Sequence, residues 1–145
     1  MDTTKTLEIL VIDDDALIRQ TLKDVLPVIA INMGININVD TAADGEEGLI
    51  KYYERLERNL PYHAVITDLN MPKVTGVQVV SKLNGLREGN QPLVYVMTGS
   101  EATEEYKKLK EALGELSPDG VIGKPLNFAA LRPALTEIAK RYSKI

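Results

Sequence analysis

The sequence contains no cysteine and only one histidine. Without cysteine the chain can form no disulfide framework, no thiolate metal site and no thiol nucleophile. The single histidine, His63, precedes an apolar run and is predicted to be a surface or boundary residue, and one histidine cannot build a metal site by itself. These absences exclude disulfide-stapled folds and cysteine-dependent chemistry.

A basic stripe and a long apolar segment are also missing. The 145 residues carry 17 Lys and Arg against 21 Asp and Glu, a net charge of −4 that argues against direct nucleic-acid binding. No apolar run is long enough to span a bilayer, and the first five residues lack the apolar run of a signal peptide. We therefore expect a soluble cytoplasmic protein without membrane insertion, folded as one domain over residues 1–145.

Five apolar or alternating runs predict strands, and the segments between and after them have helical spacing. The strands are expected at residues 7–12, 35–42, 64–67, 92–98 and 120–123, and the helices at 16–26, 44–59, 76–86, 101–116 and 127–142. Strands that alternate with helices predict an α/β fold with a doubly wound five-stranded parallel sheet, in the order 2-1-3-4-5, and helices on both faces. Pro27 is expected to kink or end the first helix, and Tyr53 is expected to face inward.

Polar residues follow four of these strands at the point where each strand ends. They are Asp13 and Asp14, Asp68, Thr98, and Lys124. The predicted strand order brings them to one edge of the sheet, where α/β proteins hold their ligands. Crowded carboxylates repel one another, so either their pKa values rise or a cation binds among them. Hard divalent cations prefer oxygen ligands.

Asp68 is the candidate reactive residue because it ends a buried, apolar central strand. An aspartate carboxylate can attack phosphorus to form an acyl phosphate, and a metal, a lysine and a hydroxyl can together neutralise the phosphoryl oxygens. Taken singly, the aspartates are equally typical of a turn or a helix cap, whereas Thr98 is more typical of a plain strand exit and Lys124 of a solvated turn. Their joint placement at successive strand ends favours a phosphoryl-transfer site.

With these motifs, the chain resembles the response-regulator receiver domains of two-component signalling. The matching stretches run in order along nearly the whole chain: Val11–Asp14, Asp44–Leu49, Val65–Pro72 with Gly76, Met97–Gly99 and Lys124–Pro125. The resemblance implies that Asp68 accepts a phosphoryl group from the phosphohistidine of a sensor histidine kinase or a histidine phosphotransfer protein.

The resemblance also implies a magnesium site. Asp14, Asp68 and the backbone carbonyl of Asn70 would ligate Mg²⁺ directly, and Asp13 would act mainly through water. Such a chain is a signalling switch rather than an enzyme, and it catalyses only its own phosphorylation and dephosphorylation.

Thr98 and Lys124 would bind the phosphoryl oxygens, and Gly99 would leave room for the group. Phosphorylation would then change the binding of a downstream protein target. The chain departs from the family at Val121, where an aromatic switch residue is common, so an aromatic rotamer switch coupled to Thr98 is not expected to operate in its usual form.

The sequence leaves alternatives open. No output domain follows the last predicted helix, so the chain is either a stand-alone receiver or a receiver piece of a hybrid sensor kinase or larger regulator. A homodimer through the last helix is compatible with the sequence, although no feature supports it. The anion-binding loop of a flavodoxin-like binding module is disfavoured by the three aspartates at 13–15.

A haloacid-dehalogenase-type phosphatase is the remaining enzyme alternative. It would use Asp13 and Asp15 as its Asp-x-Asp pair, with Thr98 and Lys124 as later motifs. That family needs a further acidic metal-binding motif after the lysine, and only Glu137 follows here, inside a predicted helix.

Overall fold

The computed structural model describes residues 6–71, 73–87, 89–99, 107, 110–111, 118–124 and 126–142. Five parallel strands form one sheet in the order β2-β1-β3-β4-β5, which confirms the predicted topology. The strands are β1 (Thr6–Ile12), β2 (Asn36–Ala42), β3 (Ala64–Asp68), β4 (Leu93–Thr98) and β5 (Gly120–Gly123). Every residue of β3 and β4 is buried, as expected for inner strands covered on both faces.

Helices cover both faces of the sheet. Within the described residues they are α1 (Ala16–Asn32), α2 (Gly45–Glu57), α3 (Gly76–Asn84) and α4 (Phe128–Tyr142). Ile9 and Val11 pack with α1 and α4 on one face, whereas Leu10 and Ile12 pack with α2 and α3 on the other. This alternation along β1 follows from the two-residue period of a strand. The helix predicted over 101–116 lies outside the described residues, except that 107, 110 and 111 are helical.

The first helix does not end at Pro27. It continues to Asn32 with Pro27 inside it. Ala30, in the part of the helix that follows Pro27, is fully buried in the core. Packing of this part of the helix offsets the backbone hydrogen bond that proline cannot donate. The chain leaves the helix through Gly34, whose φ of 77° lies in the left-handed region, and the Ile35 amide donates to the Ala30 carbonyl at 2.8 Å.

Tyr53 is exposed, so the expectation that it faces inward is wrong. Its neighbour Tyr52 is buried, and the Tyr52 hydroxyl donates to the Asn90 carbonyl at 2.5 Å. Consecutive helical residues lie about 100° apart around the axis, so only one of two adjacent tyrosines can point into the core.

The register of the strands brings their carboxyl ends to the same level. The paired residues at these ends are Ile12 with Thr67, Asp68 with Met97, and Thr98 with Gly123. The residues that end or follow the four strands therefore meet at one edge, as the sequence predicts. Among the described residues, none of the helices combines the length and apolar character needed to cross a bilayer.

Candidate functional site

Three carboxylates converge at this edge of the sheet. One oxygen from each of Asp13, Asp14 and Asp68 lies within 4.8 Å of the others. Asp13 is fully buried and Asp68 is buried, whereas Asp14 is exposed. Three oxygen ligands at such distances suit a hard divalent cation that keeps part of its water shell.

Lys124 bridges two of these carboxylates. Its Nζ lies 3.1 Å from Asp68 Oδ1 and 3.3 Å from Asp13 Oδ2. The position of Lys124 is fixed by its own backbone, since its amide donates to the Thr98 carbonyl at 2.9 Å. The end of β5 thereby places one positive charge against the acidic cluster.

Burial governs the electrostatics of the cluster. Desolvation raises the pKa of both Asp13 and Asp68 above the ordinary value, and repulsion from a neighbouring aspartate raises each pKa further. Contacts with Lys124 lower these pKa values without cancelling the rise. Desolvation lowers the pKa of Lys124, but its contacts with Asp68 and Asp13 outweigh this effect and the pKa is raised overall. The carboxylates are therefore short of positive charge, which favours cation binding.

The loop after β3 is held close to Asp68. The Gly76 amide donates to the Leu69 carbonyl at 3.0 Å, and a Cβ on Gly76 would collide with the Asp68 carbonyl and lie 2.6 Å from the Leu69 Cα. The start of α3 thus packs directly on the backbone of the candidate reactive residue. Asn70 is exposed beside it, and a backbone hydrogen bond from Asn70 lowers the pKa of Asp68 against the larger effect of burial.

The other predicted residues at this edge have distinct environments. Thr98 is buried at the end of β4. A Cβ on Gly99 would meet no atom of the described residues within 4 Å, so these residues leave space next to Thr98. Val121 is half-buried and packs against the core beneath α2 and α3. The aromatic residue of β4 is Tyr95. It lies on the face of the sheet opposite to Val121, where its hydroxyl donates to Glu137.

Asp15 caps α1 and does not join the carboxylate cluster. Its Oδ1 accepts from the amides of Leu17 at 2.9 Å and Ile18 at 3.4 Å, which is the role of a helix N-cap. Its own amide donates to Asp13 Oδ1 at 2.8 Å. The phosphatase alternative requires a free Asp15 carboxylate in the site, and this carboxylate is committed to the helix.

His63 lies at the opposite end of β3 from Asp68, half-buried, which confirms its prediction as a boundary residue. One contact at the edge of the site was not predicted. Arg19 of α1 donates from Nη1 to the Asp13 carbonyl at 2.7 Å. The only signal in the sequence is spacing, because Arg19 stands one helical turn after the cap residue Asp15.

Comparisons with known proteins agree with this geometry. The sequence model of the response regulator receiver domain family matches residues 9–136. A probable transcriptional regulator ycf27 of Porphyridium aerugineum is 33% identical over 94% of this chain and 50% of that protein. The osmosensing histidine protein kinase SLN1 of Saccharomyces cerevisiae is 26% identical over 94% of this chain and 10% of that protein.

One solved structure matches this chain over nearly its own full length. The chemotaxis response regulator CheY4 of Vibrio cholerae has 25% sequence identity and a TM-score of 0.68, and the match covers 92% of this chain and 99% of that one. The chain thus spans half of one curated relative, a tenth of another and nearly all of this structural neighbour. The sheet order, the acidic cluster and the family match lead to one conclusion: the chain belongs to the response regulator receiver domain family.

Proposed function

We propose that the chain is a phosphoacceptor switch in which Asp68 receives the phosphoryl group. The observation that carries this proposal is the position of the Asp68 carboxylate at the end of the central strand β3, within 4.8 Å of an oxygen of each of two further carboxylates and 3.1 Å from the Lys124 ammonium. A carboxylate oxygen would attack phosphorus while the P–N bond of a donor phosphohistidine breaks, and the electron pair would leave with the imidazole. The chain would promote only its own phosphorylation and dephosphorylation.

The donor set fits Mg²⁺. Asp14 and Asp68 would bind the ion directly with the Asn70 backbone carbonyl, and Asp13 would act mainly through water. The full burial of Asp13 and its contact with Lys124 support this indirect role. When bound, Mg²⁺ supplies positive charge that neutralises phosphoryl oxygens and the crowded carboxylates.

Lys124 and Thr98 would hold the transferred group. Lys124 already contacts Asp68 Oδ1, so a phosphoryl oxygen on Asp68 would take over that contact with little movement of the ammonium. Thr98 ends β4 beside the open space at Gly99, and its hydroxyl would turn toward a second phosphoryl oxygen. That movement would alter the surface that a downstream protein target reads.

The protein context of this receiver is also a proposal. A sensor histidine kinase or a histidine phosphotransfer protein would be the donor, and the exchange would take place in the cytoplasm. We propose that residues 1–145 form a single receiver domain, which would work as a stand-alone switch or as one part of a hybrid kinase or larger regulator. Light scattering before and after phosphorylation would decide whether it also pairs with a second copy.

The test of this function is intact-mass measurement after incubation with acetyl phosphate, with Mg²⁺ or with EDTA. The wild-type chain should gain one phosphoryl group only with Mg²⁺, and Asp68→Ala should gain none. Asp15→Asn is the matched control, because asparagine caps helices as well as aspartate does. This variant should be phosphorylated normally, whereas a phosphatase that used Asp13 and Asp15 would lose turnover of a generic phosphate ester.

A further inference from the structure

The guanidinium of Arg19 reaches back from α1 to the strand end that carries the acidic pair. Its Nη1 donates to the Asp13 carbonyl at 2.7 Å, a charge-assisted contact stronger than a neutral hydrogen bond. The Arg19 amide donates to the Asp15 carbonyl at 3.1 Å, so the first turn of α1 fixes the base of the side chain. Helical side chains lean toward the N-terminus of their helix, which directs Arg19 at this carbonyl.

This contact completes the fixation of Asp13. The Asp13 amide donates to the Ala42 carbonyl at 3.1 Å. Its Oδ1 accepts from the Asp15 amide at 2.8 Å, and its Oδ2 lies 3.3 Å from Lys124 Nζ. With Arg19 on the carbonyl, every polar group of this fully buried residue has a protein partner.

The next residue has the opposite character. Asp14 is exposed, and its carboxylate belongs to the cluster that could hold a cation. The carbonyl that Arg19 holds is part of the peptide that joins Asp13 to Asp14. Together with the Asp15 amide that Asp13 Oδ1 holds at 2.8 Å, this contact restrains both peptide planes that flank Asp14, and with them the direction in which its side chain leaves the backbone.

We propose that Arg19 is a positioning residue that orients Asp14 for binding the divalent cation. This inference rests on the proposed function, because it concerns the same Mg²⁺ site. Residues that hold the ligands of a metal in place commonly change metal affinity by about tenfold when they are removed. Arg19 acts here through a backbone carbonyl rather than through a ligand atom.

The sign of the effect separates positioning from simple electrostatics. Removing a positive charge near a cation site should strengthen cation binding, because less repulsion remains. Loss of a positioning contact should weaken it. The substitution Arg19→Met keeps much of the aliphatic stem and removes both the charge and the donor, so the two effects oppose each other in one variant.

The experiment is calorimetric titration of the unphosphorylated full chain with Mg²⁺. We expect Arg19→Met to bind Mg²⁺ about tenfold more weakly than wild type, and Arg19→Lys to lie closer to wild type because its ammonium keeps the charge and one donor. Lys23→Met removes an equal charge from the exposed side of the same helix and should leave the affinity nearly unchanged. Thermal unfolding in EDTA identifies any loss of folded protein. If Arg19→Met unfolds, Arg19→Gln takes its place, because it also removes the charge and its side chain ends two bonds short of Nη1: weaker Mg²⁺ binding than wild type supports the inference, and equal or tighter binding overturns it.

A kinetic readout adds an independent check. Phosphorylation of Arg19→Met by acetyl phosphate should need about tenfold more Mg²⁺ for half its maximal rate, with a maximal rate near that of wild type. Equal or tighter Mg²⁺ binding by Arg19→Met, with wild type binding normally, would overturn this inference alone. A wild-type chain that binds no Mg²⁺ and gains no phosphoryl group would overturn the proposed function as well.

Discussion

The Lys124 ammonium lies 3.1 Å from Asp68 Oδ1, where it serves as the counter-ion of the candidate phosphoacceptor. This single cation also contacts Asp13, so it is shared between two buried carboxylates. Burial, and then repulsion from a neighbouring aspartate, raises the pKa values of Asp13 and Asp68, and the contacts with Lys124 do not cancel this rise. The site therefore carries electrostatic strain that a cation or a protonation would relieve.

Asp68→Asn should stabilise the chain in EDTA near neutral pH. Burial, opposed only in part by Lys124, makes the ionised Asp68 side chain unfavourable, and the neutral amide removes that cost. Equilibrium urea unfolding of both proteins measures the difference. A less stable Asp68→Asn variant would show that the ion pair with Lys124 contributes more than desolvation costs.

The same pair of proteins should respond differently to pH. Because the folded pKa of Asp68 is raised above its ordinary value of 3.8, the folded chain binds this proton more readily than the unfolded chain. Protonation therefore adds stability as the pH falls through the folded pKa toward 3.8, and this contribution is lost again as the pH rises. The advantage of Asp68→Asn should shrink across that window in EDTA. If the stability advantage of Asp68→Asn over wild type stayed constant down to pH 3.8, the pKa of Asp68 in the folded chain would not be raised.

Gly76→Ala should lower the stability of the fold and Gly99→Ala should leave it unchanged, although both residues lie near the site. A Cβ at residue 76 would collide with the Asp68 carbonyl, whereas one at residue 99 would lie more than 4 Å from every atom that the described part of the chain could bring against it. We expect Gly76→Ala to lose about 2 kcal/mol of unfolding free energy and to slow phosphorylation of Asp68. Gly99→Ala should stay within about 0.5 kcal/mol of wild type. If Gly76→Ala kept as much unfolding free energy as Gly99→Ala, the loop after β3 would be able to shift and accommodate the added Cβ.

The strand ends were predictable because their signal is local. Largely apolar runs stop abruptly at Asp13 and after Thr67, and a parallel sheet brings the carboxyl ends of its strands to one edge. Two features were beyond the sequence. The choice between Tyr52 and Tyr53 depends on the rotation of α2 about its axis, which two adjacent aromatic residues do not reveal. The contact of Arg19 with a backbone carbonyl depends on side-chain reach, and a carbonyl has no sequence signature.

His63→Leu should destabilise the fold without affecting the phosphoryl chemistry. His63 Nδ1 accepts from the Glu8 amide at 2.9 Å, and its ring lies edge-on to Tyr142 with centroids 4.7 Å apart. Leucine fills the space but leaves the Glu8 amide without this acceptor, at a cost of about 1–3 kcal/mol. His63→Asn offers Oδ1 near the same position and should cost less. Urea unfolding measures both variants, and the phosphorylation rate should stay at the wild-type value because Asp68 lies at the other end of β3.

Pro27→Ala should stabilise the chain. Within α1, proline donates no hydrogen bond to the preceding turn and crowds its carbonyl, at a cost near 3 kcal/mol relative to alanine in a helix interior. Proline also restricts the unfolded chain, which returns up to about 1 kcal/mol. The net gain expected for Pro27→Ala is about 1–2 kcal/mol in urea unfolding.

Pro133→Ala is the matched comparison, because Pro133 lies inside α4 and is exposed. The same backbone argument applies there without a packing contribution, so its gain should equal or exceed that of Pro27→Ala. Pro27 is half-buried, so its ring makes apolar contact that the smaller alanine side chain would only partly replace. A loss of stability in Pro27→Ala together with a gain in Pro133→Ala would show that this contact, rather than the backbone, decides why α1 runs through its proline.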